Sequence, residues 1–374
     1  MLSARWIEPQ DALADVARWQ ALAARCANSN VFYEHWAVQA CQTLPEGRGL
    51  RLLLVEHHDG SWAGLLPLMP WRAGGVTIGW QNWDQRVRAL GDPLIVKGLE
   101  TDVWQAMLAM LARDWWQPML RLSTLDEQGP VGAALLNILG QGAWPHRLTR
   151  RLERAVLNHG PAAADYCASN IRGKVLKEYR RLKRRLADRG ELRVEQLGTG
   201  MPAASWTEQL LGLETVGWKG RDGVAAACDP ALQQCVHRLL DEAHRLGRLD
   251  FWRMTLDGEP LSMLACLENG QGQAFQYKIS YDERHAASSP GVLLELEYLQ
   301  AMLDGDRLTR CDSCARPDHP MINRLWVDRM PVCSVVIGQP TLVGRGIIGL
   351  TALMDRRKAR SHAQTAPVPE METN

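Results

Sequence analysis

At 374 residues the chain is long enough for two domains or one large α/β unit. A formal net charge of +1 excludes a global electrostatic drive toward nucleic acid, and the apolar and charged fractions are those of a soluble globular protein. Nine cysteines, an odd and scattered set, argue against a disulfide framework.

The first residues, Met1 to Glu8, lack the long apolar core of a signal peptide. No run reaches the roughly 20 apolar residues that cross a bilayer. The expected compartment is a bacterial-type cytoplasm. Leu52–Glu56 and Ala63–Met69 flank His57-His58-Asp59-Gly60-Ser61-Trp62, a hairpin signal whose two histidines read as solvated. Strands are predicted at Gly74–Trp80, Pro93–Val96, Met119–Leu125 and Arg147–Val156, with helices at about 101–114 and 130–139. Trp62, Trp71, Trp80, Trp83, Trp104, Trp115 and Trp116 crowd this half, as core packing or as the lining of a lipid groove.

Ser169–Arg189 is strongly basic, with Arg180, Arg181, Arg184 and Arg185 among its cations. Ile171, Val175, Leu176, Tyr179, Leu182 and Leu186 recur at spacings of three and four, which predicts one amphipathic helix. Its charges can be simply solvated, attract a polyanionic ligand, or meet anionic lipid headgroups. RNA binding fits less well, because no aromatic residues interleave with the charges.

Beyond it, Glu191–Leu197 alternates as a strand, and helices follow at roughly 203–217 and 229–246. Strands are predicted at Leu249–Leu256, Pro260–Glu268 and Gln273–Tyr281. Next comes a helix opened by Ser289-Pro290-Gly291, where Ser289 can cap, Pro290 fits the first turn and Gly291 lets backbone approach a ligand. Such a helix start offers free N–H groups to a pyrophosphate. A short strand near Leu308–Cys311, a short helix near Met321–Val327 and a strand at Val332–Gly338 complete the order β-α-α-β-β-β-α-β-α-β. Thr365–Asn374 reads as a disordered tail.

That order, with Leu213-Glu214-Thr215-Val216-Gly217-Trp218-Lys219-Gly220, the turn Leu256-Asp257-Gly258-Glu259-Pro260 and the strand–Ser-Pro-Gly–helix unit, resembles the Gcn5-related N-acetyltransferase (GNAT) fold. Within it the chain looks like the acetyltransferase family grouped with the cellulose-biosynthesis protein CelD and related to the peptidoglycan-bridge (FemAB-type) aminoacyltransferases. The resemblance covers about residues 165–340. It implies an α/β chain of tandem GNAT-like domains, mixed sheets flanked by helices. The expected division is 1–160, shaping the acceptor groove; 161–340, binding acyl-CoA; and 341–374, a helix and tail. It further implies acyl-CoA as co-substrate, no bound cofactor, and transfer to an amine. Donor contacts are expected at Tyr281, Ser289, Pro290, Gly291, Val292 and Leu293. In the resembling fold, the strand before the phosphate-binding helix polarises the thioester carbonyl through its backbone; here that strand is Gln273–Tyr281.

His319, in the loop after the penultimate strand, titrates nearest neutrality and is the first candidate base, with Asp318 and Asp312 as orienting groups. Glu214 and Asp282 are the alternatives. The tyrosine that many relatives use to protonate the leaving thiolate is missing from Met321–Val327, so that acid is unassigned; Tyr277 and Tyr281 lie nearest in sequence. Cys311-x-x-Cys314 with His319 has a zinc-like spacing but lacks a second pair, so no metal is expected. The acceptor implied is the amine of an amphiphile or sugar, such as a long-chain amino lipid, as in bacterial ceramide synthases, or a surface-polysaccharide precursor. An aminoacyl-tRNA-dependent transferase and a non-catalytic scaffold of a polysaccharide synthase are the alternatives. Peripheral contact with the inner membrane through 169–189 is a further expectation.

Overall fold

The computed structural model describes residues 2–114 and 116–349. Its strands are β1 (Leu2–Ile7), β2 (Arg51–His57), β3 (Trp62–Ala73), β4 (Val76–Asn82), β5 (Leu94–Ile95), β6 (Met119–Asp126), β7 (His146–Asn158), β8 (Leu192–Gln196), β9 (Leu249–Leu256), β10 (Glu259–Glu268), β11 (Gln273–Tyr281), β12 (Arg310–Asp312) and β13 (Asp328–Gly338). They form one sheet in the order β1-β2-β3-β4-β6-β13-β7-β12-β11-β10-β9-β8, with β5 on β3.

The two halves repeat one plan. Each has four antiparallel strands, β1 to β4 or β8 to β11, followed by a parallel pair, β4·β6 or β11·β12. Each half is then closed by the other's last strand. β13 pairs with β6, β7 pairs with β12, and β7 and β13 pair with each other. Alternation explains the exchange. Cys333, Val335 and Ile337 of β13 point into the core of the first half, whereas Ala155 and Leu157 of β7 point into the core of the second. Unpairing either strand would expose a full apolar row.

Helices cover both faces. Asp229 caps the helix Pro230–Arg245 by accepting from the N–H groups of Ala231 and Leu232 at 3.0 and 3.3 Å. That helix buries Cys235, Val236, Leu239, Leu240 and Ala243, one stripe at helical spacing, and packs on the helix His35–Cys41 of the first half. The core is thus continuous between the halves, and Phe32 meets Phe275 edge-on at 5.6 Å. Trp62, Trp80, Trp83 and Trp104 are buried there as core packing, while Trp116 is exposed. Trp115 lies outside the described residues.

The predicted single basic helix is two, Ala163–Asn170 and Gly173–Ala187. Ile171 is extended between them and buries its side chain in the second core. Residues 342–349 are helical; the tail at Thr365–Asn374 lies outside the described residues.

The helix Pro290–Asp304 carries a fully buried acid. Glu295 Oε2 accepts from Gln276 Nε2 at 2.8 Å, and its Oε1 has no partner among the described residues. Burial pushes this carboxyl up to about 7. A raised acid favours the folded state only while neutral, so stability is full below the ordinary 4.5 and declines as pH rises toward 7. Glu295→Gln is expected to raise the unfolding free energy at pH 8 by at most about 3 kcal/mol, and the melting temperature with it, but hardly at pH 5. An equal effect at both values would contradict the buried charge.

Candidate functional site

β11 and β12 are paired only at Gln273–Arg310, Ala274–Cys311 and Phe275–Asp312. Beyond Phe275 they part, and β11 runs on to Tyr281. The divergence has a local cause at Asp312. Its Oδ2 accepts from Arg154 Nη1 at 2.9 Å, and its Oδ1 accepts from the Cys314 N–H at 2.8 Å, which turns the chain away. Cys314 is held there at φ 53°, a left-handed conformation a cysteine rarely adopts.

A bulge sits in the wall of this opening. Ala265 of β10 pairs with Lys278, but Cys266 pairs with Gln276, so Tyr277 is an extra residue in β11. Tyr277 and Lys278 consequently reach the same cavity rather than alternating. Both line a cavity of about 180 Å³ between the halves, with Phe32, Arg88 and Val87 on the first-half side and Leu232 and Cys314 on the second.

Lys278 Nζ donates to Glu214 Oε1 at 2.7 Å, and Lys219 Nζ donates to the same oxygen at 3.1 Å. Glu214 Oε2 accepts from the Ala226 N–H at 2.9 Å. Burial alone would raise Glu214, but the lysines and this N–H outweigh it, and the carboxyl sits below its usual range. A saturated, strongly acidic carboxylate is a poor base. Burial pushes Lys278 down, with Glu214 opposing. Burial pushes the phenol of Tyr277 well up, which makes it a weak acid.

Asp282 has a structural task. It caps the 3₁₀ turn Glu283–Ser288 by accepting from the Arg284 N–H at 2.9 Å, and Arg284 clamps it through Nε and Nη2. The Arg284 guanidinium holds its carboxyl below the ordinary range.

His319 is half-buried, and its Nδ1 accepts from the Ile322 N–H at 3.3 Å. In the neutral ring the proton is then on Nε2, so His319 as placed donates rather than accepts. The expected orienting groups are engaged elsewhere: Asp312 with Arg154, and the exposed Asp318 with Arg316 at 4.0 Å. Burial lowers the imidazole. His319 does not line the cavity between the halves.

At the helix start, Ser289 is left-handed (φ 51°) and makes no side-chain cap, against the sequence expectation. Its backbone C=O instead accepts from Leu293 N–H at 3.1 Å, and Ser262 Oγ donates to Pro290 C=O at 3.0 Å. Pro290 has no N–H, so Gly291 and Val292 present the N–H groups left without an acceptor among the described residues. A Cβ on Gly291 would make ordinary contact with the Tyr281 side chain, nearest at 3.5 Å. Pro290 and Gly291 are buried, and Val292 is partly exposed. The basic helix Gly173–Ala187 packs beside the turn Glu283–Ser288 that leads into it.

The equivalent opening of the first half is closed by its own chain. Asn82 Nδ2 donates to the C=O groups of Gly91 and Ser123, and Arg88 Nη1 donates to Ser123 C=O. A Cβ on Gly91 would lie 2.0 Å from the Ser123 oxygen, so only glycine fits this plug.

Among the described residues no group of three or more His, Cys, Asp or Glu side chains is placed to hold a metal. Burial raises the Cys314 thiol well above its ordinary value, which leaves it inert as a nucleophile. Lys278, the bulge at Tyr277 and the Asn82 plug were missed by sequence reading. An alternating strand pattern gives no sign of a bulge.

The parallel pair that splays beside a bulge, and the helix start next to it, lie in one segment of the second half. Residues 173–319 match the family model described as an acetyltransferase (GNAT) domain, and this segment is such a domain. No curated protein matches the chain. Among solved structures, FemX is similar at TM-score 0.56 and 10% identity, covering 89% of this chain and 96% of its own. L-PGS from Bacillus licheniformis is similar at TM-score 0.51 and 12% identity, with 92% and 96% covered. A conserved protein of unknown function from Bacteroides thetaiotaomicron gives TM-score 0.55 and 10% identity, with 91% and 100% covered. These likenesses concern the fold.

Proposed function

We propose that the chain is an acyl-CoA-dependent N-acyltransferase whose second half holds the donor and whose first half shapes the acceptor site. The splay of β11 from β12 at the Tyr277 bulge carries this reading. The donor pyrophosphate rests on Gly291 and Val292 N–H, flanked by Tyr281, and the thioester lies along β11. The acceptor amine reaches it through the cavity between the halves. That cavity combines apolar Phe32, Val87 and Leu232 with Arg88 and Lys278, which suits an amphiphilic acceptor with a polar head. The plug at Asn82 and Gly91 supports giving the first half no donor of its own.

Lys278 takes the role of proton donor to the leaving thiolate. Burial lowers its pKa toward that of a thiol, while the ion pair with Glu214 favours the charged form. Among the described residues neither a histidine nor a carboxylate lines the cavity, so the amine proton passes to water, and His319 stays outside the chemistry. The test is thiol release from acyl-CoA with a panel of amino lipids and amino sugars. Turnover unaffected by ribonuclease supports the reading. Turnover that needs charged tRNA would replace it with an aminoacyl transfer, and none with any donor would leave a scaffold.

The exposed cations of Gly173–Ala187 support peripheral contact with an anionic membrane. Binding to anionic liposomes is expected to fall as salt rises, since exposed charges are screened over about 8–10 Å. Replacing Arg180, Arg184 and Arg185 with Gln should reproduce high salt. Equal binding to neutral and anionic liposomes would return these charges to plain solvation.

A further inference from the structure

Cys41 ends the helix His35–Cys41 of the first half, and Cys235 lies in the helix Pro230–Arg245 of the second. Both are buried, and their sulfurs are 2.8 Å apart although 194 residues separate them in sequence. A disulfide bond is about 2.05 Å long, so a movement of less than an ångström closes it. Both cysteines sit on helices that pack against each other, which holds the two sulfurs together. The neighbouring Val236 lines the cavity between the halves.

We propose that Cys41 and Cys235 are a covalent modification site, a disulfide that ties the two halves together beside the cavity. The oxidant is a low-molecular-weight disulfide of the glutathione type. One protein thiolate attacks it, releases one small thiol and forms a mixed disulfide. The second protein thiolate attacks the protein sulfur of that bond and releases the other small thiol. The two protein thiols lose two electrons and two protons, and one small disulfide becomes two thiols. Burial makes the exchange slow in the closed fold, so it proceeds as the helix pair opens or during folding.

The test uses the full chain, purified reduced and then held in, or refolded from denaturant into, oxidised glutathione. The expected product has lost the mass of two hydrogens, and a digest without reductant yields a peptide pair joining Cys41 to Cys235. Its melting temperature should rise by several degrees, because the cross-link closes a long loop. In Cys41→Ser both the linked pair and the rise should vanish. Free Cys41 and Cys235, alkylated after denaturation of the treated and refolded protein, would overturn the proposal. So would a glutathione adduct that never resolves to the cross-link, or an equal rise in Cys41→Ser.

Discussion

Lys278→Met is expected to lower kcat by about a hundredfold or more, while the KM for acyl-CoA changes by less than about threefold. The thiolate cannot leave well unprotonated, and Lys278 is the charged donor beside the bulge. Its ammonium is the active form, so the rate holds below its folded pKa and falls as pH rises through it. That pKa lies below the ordinary 10.5, because burial disfavours the charge. The alkaline limb of the pH–rate profile should therefore lie below 10.5 in the native protein and disappear in the variant. The substitution also removes one partner of a buried carboxylate. An uncompensated break of that kind costs about 3–5 kcal/mol. Here Lys219 and the Ala226 N–H remain on Glu214, so the loss should be smaller and the protein should fold. Retention of more than about a tenth of kcat with the limb intact would exclude Lys278 as the acid. His319→Ala, in contrast, should keep kcat within about tenfold.

Gly291→Asp should raise the KM for acyl-CoA by about tenfold or more, equivalent to about 1.4 kcal/mol, with a smaller effect on kcat. The Cβ of the new side chain meets Tyr281 at van der Waals distance, and far-UV and thermal unfolding of the variant check that it folds. Its carboxylate, however, stands where the Gly291 and Val292 N–H groups would receive a phosphate, and like charges repel. Gly291→Ala separates the two causes: it adds bulk without charge and should cost much less. A folded Asp variant with native KM would remove the donor from this helix start.

Most strands and helices were legible in the chain. β9 and β11 fall at Leu249–Leu256 and Gln273–Tyr281, the predicted bounds, because their apolar residues alternate and a turn follows each. The helices Ala204–Val216 and Pro230–Arg245 were equally plain from their periodicity. β1 was not: six residues at the chain start form a strand because β2 offers a free edge. The site was half legible. Pro290 and Gly291 announce a helix start by their own backbone limits. The cap at Ser289 did not follow, since its left-handed backbone turns the side chain out of capping position.

What the sequence determined by itself is local: periodicity, turn chemistry and the helix start at Pro290-Gly291 depend on residues close together in the chain. The tertiary structure alone decided three things. It exchanged β7 and β13 between the halves, because each strand's apolar row matches the other half's core. It saturated Glu214 with Lys219 and Lys278 and thereby turned a candidate base into a support. It left Lys278 on the cavity wall, because a one-residue bulge changes which face a side chain takes, and a bulge exists only in the pairing of two strands.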